Sequence, residues 1–255
     1  MCRHVIVTAR QPVAAAEYLL DASNSLRAQA CCDAKQYNHG DGWGVGWYEP
    51  GRAEPRVIRS PGDARTDPAF VDAARQVTSR LFLGHVRNAS VGSRVAENCH
   101  PFAYGPWLFA HNGTVTNFDQ VAPQLEREID PAILATRRGT TDSELVFCAL
   151  LDRLLRKNLG AVEAMSDVLH QLDELTLGSV DDEGKPAKFN LLLTDGHAVI
   201  ASRWGQTLSW LQTPDHVVIA SEPIAARTES GSWSEVPEQS ILSVSGDFRA
   251  QLHSL

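Results

Sequence analysis

Cys2 is the residue whose type and position offer the clearest chemistry in this sequence. Removal of the initiator methionine would leave a cysteine that carries a thiol and a free α-amine on one residue. An α-amine titrates near pH ~8, so it can take the proton of the thiol and later return it to a leaving amine. This pairing of nucleophile and base is one solution to covalent catalysis. A cysteine at position 2 also arises by chance, so Cys2 alone does not establish catalysis.

The composition predicts one globular domain over residues 1–255, without a nucleic-acid or membrane partner. The 255 residues are 43% hydrophobic, which is enough for a full core within the size range of one domain. The net charge is −8 and no run of Lys or Arg exceeds two residues, so the basic patch that nucleic acid or anionic lipid needs is missing. Neither an apolar signal core nor a run of ~18 apolar residues is present. We therefore expect a cytoplasmic protein.

The cysteine and histidine spacings predict neither a disulfide framework nor a metal centre. The cysteines are Cys2, Cys31, Cys32, Cys99 and Cys148. They are odd in number and contain no CxxC motif, so those other than Cys2 are expected to be reduced thiols. His85, His100 and His111 do not follow an HExxH or comparable ligand pattern. We expect no metal and no cofactor.

Patterns along the chain favour an α+β fold. Strands are predicted at 3–8, 41–48, 81–85, 107–111, 189–194, 198–202, 217–220 and 241–244. Helices are predicted over 13–20 after Pro12, from a capping box at 141–144 through Leu154, and over 161–175. Asp195-Gly196 predicts a type I′ hairpin turn, and 180–186 an exposed loop. Strands and helices in consecutive blocks favour α+β over a doubly wound parallel sheet.

Six short segments, taken together, resemble the class II glutamine amidotransferase domain of the N-terminal-nucleophile hydrolases. They are Met1-Cys2-Arg3-His4, Asp41-Gly42-Trp43-Gly44, Gly84-His85-Val86-Arg87-Asn88-Ala89-Ser90, Glu97-Asn98-Cys99-His100-Pro101-Phe102, Ala110-His111-Asn112-Gly113 and Gly139-Thr140-Thr141-Asp142-Ser143-Glu144. Each is weak alone, whereas their order behind a cysteine at position 2 is a strong signal. Segments 204–209 and 220–223 also resemble stand-alone members, the γ-glutamyl hydrolases of ergothioneine biosynthesis. The resemblance implies a four-layer αββα sandwich, with two antiparallel sheets between helical layers.

The resemblance also implies roles for particular residues. Cys2 would attack the side-chain carbonyl of a γ-glutamyl group, with its α-amine as base and then as acid. Asn112 and Gly113 match the oxyanion hole, although Asn-Gly is also the strongest turn dipeptide. Arg87 matches the residue that binds the substrate α-carboxylate, and Asp142 the acid that binds its α-ammonium. On physical grounds Arg87 could instead form a surface ion pair, and Asp142 could stabilise a helix N-terminus.

Four further residues in these motifs are candidates for the substrate pocket. His85, Ser90 and His100 are expected to shape or support it. Trp43 is expected either to line the glutamyl site or to lie in the core. A dyad of Cys99 with His100 is not expected, because adjacent residues of a strand point to opposite faces.

These residues predict a thiol amidohydrolase that cleaves a γ-glutamyl amide through a thioester on Cys2. One alternative is a glutaminase subunit that supplies ammonia to a separate synthase partner. Another is a non-catalytic γ-glutamyl-binding protein, which retention of Met1 would favour. All three take a small-molecule γ-glutamyl ligand, and the residues leave the identity of the leaving group open.

Overall fold

The strands of the protein form two antiparallel sheets. The computed structural model describes residues 2–31, 39–181, 183–226 and 231–255. The strands are β1 (Arg3–Ala14), β2 (Trp43–Trp47), β3 (Arg56–Ser60), β4 (Thr78–Val86), β5 (Phe102–Tyr104), β6 (Trp107–Thr114), β7 (Lys188–Thr194), β8 (Val199–Arg203), β9 (Ser209–Gln212), β10 (His216–Ala220), β11 (Ser234–Glu235), β12 (Ser240–Val244) and β13 (Ala250–Ser254). One sheet has the order β11-β9-β10-β1-β4-β2-β3, and the other has the order β13-β12-β8-β7-β6-β5.

Helices cover the outer faces of both sheets. They are α1 (Leu26–Cys31), α2 (Pro68–Gln76), α3 (Phe118–Glu126), α4 (Pro131–Leu134), α5 (Asp142–Leu155) and α6 (Ala161–Thr176). A π-helical turn covers Glu17–Asp21 and a 3-10 turn covers Ala96–Asn98. Within the described residues, none of these helices has the length and apolarity needed to cross a membrane.

Three apolar cores separate four layers. Ile6 of β1 and Ala110 of β6 belong to the core between the two sheets. Their neighbours Val5 and Phe109 belong to the cores between each sheet and its helices. Because side chains alternate between the faces of a strand, each sheet is buried on both sides. This arrangement confirms the predicted α+β class and the αββα sandwich.

The position of Cys2 follows from the position of β1. This strand lies in the interior of its sheet, where Val5 pairs with Gly84 of β4 on one side and with Ala220 of β10 on the other. Cys2 lies directly before β1, and by alternation it shares a face with His4 and Ile6, toward the other sheet. The candidate nucleophile therefore lies at the end of a strand that is paired along both edges.

Most of the predicted elements are present, and the helix predicted over 13–20 is wrong. Residues 13 and 14 extend β1 and pair with Ser79 and Thr78, and the turn at Glu17–Asp21 follows. Backbone pairing with β4 outweighs the preference of a proline such as Pro12 for the first turn of a helix. The helices predicted at 141 and 161 are confirmed, and Thr141 caps the first by accepting a hydrogen bond from the backbone N–H of Glu144 at 3.2 Å.

The turn predicted at Asp195-Gly196 also differs from the structure. The hairpin of β7 and β8 closes through residues 195–198, and of these only Gly196 has a positive φ, +90°. A type I′ turn requires two consecutive residues with positive φ. Asp195 instead accepts hydrogen bonds at 2.9 Å from the N–H groups of His197 and Ala198, which stabilises the longer loop. The predicted loop at 180–186 lies between α6 and β7, and its described residues form no helix or strand. Residue 182 lies outside the described residues.

Candidate active site

Cys2 is nearly enclosed at the end of β1. Its side chain is 6% exposed, and its Sγ lies 3.6 Å from the carbonyl oxygen of Asn88. Burial raises the pKa of the Cys2 thiol, and the positive charge of Arg87 only partly opposes this effect. The thiol is therefore protonated at neutral pH, and it needs a base before it can act as a nucleophile.

A buried ion pair fixes the backbone on which Cys2 lies. The Arg3 guanidinium donates to the carbonyl oxygen of Cys2 at 3.0 Å and pairs with Glu222 at 3.1 Å. The Arg3 side chain is 1% exposed. A buried cation is costly unless it is paired and hydrogen-bonded, so Arg3 is held in this geometry. The pair connects the first residues of the chain to the segment that follows β10.

Asn112 and Gly113 lie inside β6 and not in a hairpin turn. They pair with Asn190 and Phe189 of β7. Asn112 shares a face with Ala110, so its amide points into the space between the sheets, toward the sheet that carries Cys2. Its Nδ2 donates to Ser221 Oγ at 3.4 Å, and its buried Oδ1 has no hydrogen-bond partner in the described part of the chain.

Arg87 and Asp142 are buried charges close enough to Cys2 to act on its thiol. Arg87 is 2% exposed, which excludes a surface ion pair, and its guanidinium donates to the carbonyl oxygens of Val91 at 2.8 Å and Ser93 at 3.0 Å. Asp142 is 3% exposed and accepts from the N–H of Val115 at 2.8 Å. Both charges act on the Cys2 thiol: Arg87 lowers its pKa, and Asp142 raises it. Asp142 also begins α5, so its two predicted roles are compatible.

Four buried histidines, His4, His85, His100 and His111, lie near these residues. The rings of His85 and His100 are 4.2 Å apart, and His111 bonds through Nδ1 to Ser143 Oγ and through Nε2 to the Lys188 carbonyl oxygen, both at 2.9 Å. Burial lowers the pKa of His4 to about 3 and also lowers the pKa values of His85, His100 and His111. These imidazoles are therefore neutral and pack beneath the site. Among the described residues, no three His, Cys, Asp or Glu side chains are placed to hold a metal ion.

The structure places the two remaining candidates, Ser90 and Trp43, in different surroundings. Ser90 is exposed and lines a cavity next to Asn88, where its hydroxyl meets that of Thr114 at 2.9 Å. Trp43 is fully buried on the helix-facing side of its sheet, edge-on to Phe70, with its Nε1 donating to Asp67 at 2.8 Å. That face is opposite to the one that Cys2 shares, so Trp43 is a core residue and does not line the pocket.

Cys99 and His100 do not form a dyad. The thiol of Cys99 lies 3.3 Å from the carbonyl oxygen of Ser60, and His100 packs against His85. Burial raises the pKa of Cys99 to about 11. Cys99 is therefore a protonated thiol in a packed environment.

A cavity of about 770 Å³ opens next to Asn88, the neighbour of the candidate nucleophile Cys2. Asn88, whose carbonyl lies next to Cys2, and Thr114, which follows Gly113, are part of its wall. Another part of the wall comes from residues between α6 and the start of β7, among them Asp181 and Lys188, whose charged groups are 3.5 Å apart. The sequence analysis did not identify this wall, because charged residues in a loop are typical of any surface.

Sequence reasoning also missed Ser221. Its hydroxyl accepts from the N–H of His4 at 3.0 Å and from Asn112. The only signal was its place in the segment 220–223, which resembled stand-alone members of the family. A serine after an apolar strand carries no further signal in one sequence.

Comparisons with known proteins identify the family to which this chain is similar. The family model described as class II glutamine amidotransferases matches residues 14–223. A γ-glutamyl-hercynylcysteine sulfoxide hydrolase of Mycobacterium tuberculosis is 34% identical over 250 residues, which cover 96% of this chain and 93% of that protein. The corresponding hydrolase of Mycolicibacterium smegmatis is 31% identical and covered over 96% of its length.

Solved structures show the same fold. A glutamine aminotransferase class-II domain protein from Silicibacter pomeroyi matches with a TM-score of 0.70 at 24% identity, over 99% of both chains. A glutamine phosphoribosylpyrophosphate amidotransferase from B. subtilis matches with a TM-score of 0.68 at 15% identity, over 99% of this chain and 49% of that chain. At these identities the likeness concerns the fold alone.

The close packing of Gly113 leads to a first prediction. A Cβ atom at this position would lie 1.9 Å from the Lys188 carbonyl oxygen and 2.4 Å from His111 Nε2. We expect Gly113→Ala to lower the free energy of unfolding by about 2–3 kcal/mol, because backbone must move to relieve the overlap. Gly160→Ala is the matched control, since a Cβ there meets no atom within 4 Å; its cost should stay below about 1 kcal/mol. Urea unfolding of both variants measures the difference, and equal costs would contradict the close contact of β6 with β7.

The buried histidines predict a loss of stability in mild acid. Their pKa values are lowered by folding, so the unfolded chain binds more protons as the pH falls below about 6.5. Each histidine that stays neutral in the folded protein should lower the free energy of unfolding by about 1.4 kcal/mol when the pH falls from 7.5 to 5.5. For the four histidines the decrease is about 5 kcal/mol. Urea unfolding at pH 7.5, 6.5 and 5.5 measures this slope. An uptake of less than one proton on unfolding at pH 5.5 would show that these histidines are charged in the folded protein.

Proposed function

Because the chain belongs to the class II glutamine amidotransferases, we propose that it hydrolyses a γ-glutamyl amide through a thioester on Cys2. The observation that carries the proposal is a buried thiol on which a buried guanidinium, Arg87, and a buried carboxylate, Asp142, both act electrostatically. A free glutamyl group carries an α-carboxylate and an α-ammonium of complementary sign. One pair of fixed charges can therefore bind the substrate by its end and orient its side chain toward the thiol.

The reaction begins with the protonated thiol. After removal of Met1, the α-amine of Cys2 takes the thiol proton, and Sγ forms a bond to the side-chain carbonyl carbon of the glutamyl group. The oxygen becomes negatively charged, and Asn112 Nδ2 and the Gly113 N–H stabilise it. The C–N bond then breaks as the α-ammonium returns the proton to the leaving amine. Water attacks the thioester in the same way, which releases glutamate and restores the thiol.

The two groups proposed to bind the glutamyl end, the Arg87 guanidinium and the Asp142 carboxylate, keep hydrogen-bonding capacity beyond their contacts within the protein. The guanidinium group has five N–H donors, and its contacts with the carbonyl oxygens of Val91, Gly92 and Ser93 use three. The Asp142 carboxylate accepts from Val115 and Ser143, each at 2.8 Å, which leaves lone pairs for an ammonium. Substrate binding can therefore add to these contacts without breaking them.

The cavity beside Cys2 favours a leaving group larger than ammonia. Its volume of about 770 Å³ lies in the range of pockets that bury drug-sized ligands. Its walls carry both signs of charge, including Asp119, Asp181 and Lys188, which suits a polar, charged amine. The mycobacterial relatives are named for hydrolysis of such a conjugate, γ-glutamyl-hercynylcysteine sulfoxide. We therefore propose a γ-glutamyl conjugate as substrate, in preference to glutamine serving a separate synthase.

We further propose that the chain acts as one domain in the reducing cytoplasm. Among the described residues, Cys2, Cys99 and Cys148 are buried thiols that form no disulfide. A thiol nucleophile must stay reduced to function, and the cytoplasm keeps exposed thiols in that state.

Covalent labelling tests the nucleophile. We expect the purified protein to lack Met1 and to gain one adduct on Cys2 with 6-diazo-5-oxo-L-norleucine, a glutamine analogue that alkylates such nucleophiles. Cys31→Ala should be labelled like the wild type, because its thiol is exposed and outside the site. Cys2→Ala should be unlabelled and inactive at unchanged thermal stability. Intact-mass and peptide mass spectrometry measure the adduct; a retained Met1 without labelling would favour the non-catalytic binding protein.

Comparison of two amides tests the leaving group. We expect kcat/KM for a γ-glutamyl conjugate with a polar leaving group, such as γ-glutamyl-hercynylcysteine sulfoxide, to exceed that for glutamine at least 100-fold. The reason is that only the conjugate fills the cavity, and this corresponds to about 2.7 kcal/mol of extra transition-state binding. Glutamate release measures both rates. Equal rates, or glutaminase activity that rises with a co-purifying protein, would favour the ammonia-supplying subunit.

A further inference from the structure

We propose that Ser221 is a positioning residue, which orients the amide of Asn112 for transition-state stabilisation. The inference rests on the function proposed above, because it concerns the oxyanion that forms in that reaction. Ser221 does not touch the glutamyl group in this account. It acts through Asn112.

The contacts of Ser221 place it between the nucleophile and the oxyanion hole. Its Oγ accepts from the N–H of His4 at 3.0 Å and from Asn112 Nδ2 at 3.4 Å. Its own N–H donates to the His4 carbonyl oxygen at 3.0 Å. Ser221 is therefore bonded in both directions to the strand that begins one residue after Cys2, and its hydroxyl extends from there to the opposite sheet.

The amide of Asn112 needs such a partner because rotation about its terminal side-chain torsion is only weakly restricted. The torsion that turns an asparagine amide has broad, roughly two-fold preferences, so the amide can present either Nδ2 or Oδ1 to a given point. An amide that presented Oδ1 would repel a developing oxyanion. In the structure one Nδ2 hydrogen is directed to Ser221, which leaves the other for the substrate oxygen.

Burial makes this orientation effective. Ser221 and Asn112 are both 0% exposed, so water does not replace the hydroxyl as an acceptor for Nδ2. The distance of 3.4 Å is long for an N–H···O bond, so the contact orients the amide more than it stabilises the folded state. The same hydroxyl accepts from the buried N–H of His4 at 3.0 Å, so its removal should lower the stability as well as kcat, and the two effects have to be measured separately.

The expected effect lies in kcat. Oxyanion stabilisation develops only in the transition state, so a misoriented Asn112 lowers kcat and leaves KM nearly unchanged. Loss of a whole oxyanion-hole donor costs about 100-fold or more in kcat. Loss of its orientation should cost about tenfold, because the amide still samples the productive conformation.

A double-mutant cycle on hydrolysis of a γ-glutamyl amide tests the proposal. The variants are Ser221→Ala, Asn112→Ala and the double variant, and thermal unfolding establishes that each is folded. We expect Ser221→Ala to lower kcat about tenfold in the wild type and by less than twofold in the Asn112→Ala background, because a residue that acts through Asn112 has no further effect once that amide is absent. KM should change less than twofold in Ser221→Ala.

A matched variant controls for the loss of a buried hydroxyl. Ser79 is 3% exposed, and its Oγ donates to the Tyr48 carbonyl oxygen at 2.6 Å near the opposite end of β4. Ser79→Ala should leave kcat within twofold of the wild type. The rate of Cys2 alkylation by 6-diazo-5-oxo-L-norleucine should also stay within twofold in Ser221→Ala, because that reaction attacks the diazo carbon and forms no tetrahedral oxyanion.

The outcomes separate this inference from the proposed function. Equal kcat losses in both backgrounds, or slowed alkylation of Cys2, would overturn the role through Asn112 and leave the hydrolase intact. Unchanged kcat in Ser221→Ala would overturn it as well. A wild-type protein that releases no glutamate from any γ-glutamyl amide overturns the proposed function and this inference together.

Discussion

The pairing of β1 along both of its edges is the constraint on which the rest of the site depends. A residue at the end of an edge strand can shift with little cost, whereas β1 is bonded to β4 on one side and to β10 on the other. Displacement of Cys2 would disturb two ladders and the buried pair of Arg3 with Glu222. The candidate nucleophile is small and needs a fixed geometry for attack, and this strand provides it.

The core between the sheets then sets the distance from Cys2 to Asn112, the donor proposed for the oxyanion hole. Cys2 extends from one sheet and Asn112 from the other, and the apolar side chains of Ile6, Leu83 and Ala110 pack between the two sheets. Interiors are close-packed, so this separation has little freedom. The site is therefore a property of the whole sandwich, and a change of volume between the sheets should alter the chemistry as well as the stability.

Much of the candidate site could be predicted from the sequence, because its residues are carried by short motifs at strand ends and at a helix cap. Arg87 and Asp142 act on the Cys2 thiol, Asn112 is joined through Ser221 to the N–H of His4, and alternation places Trp43 on the face opposite to Cys2; the catalytic and binding roles that the resemblance implied stay proposals. The role proposed for Ser221 depends on contacts with residues more than 100 positions away, and the extension of β1 through Ala14 depends on β4. Local preferences cannot predict either feature, since each follows from pairing between distant segments.

The two ends of the proposed substrate meet different kinds of structure. The glutamyl end would bind buried groups on or beside strands, Arg87, Asn112 and Asp142, whose positions are fixed by packing. The leaving group would meet the loop after α6, in which Asp181 pairs with Lys188 at the start of β7 on the wall of the cavity. Loops tolerate substitution and insertion far better than paired strands do. A fold built in this way can keep one glutamyl chemistry while its leaving-group specificity changes, because the two are encoded in separate parts of the chain.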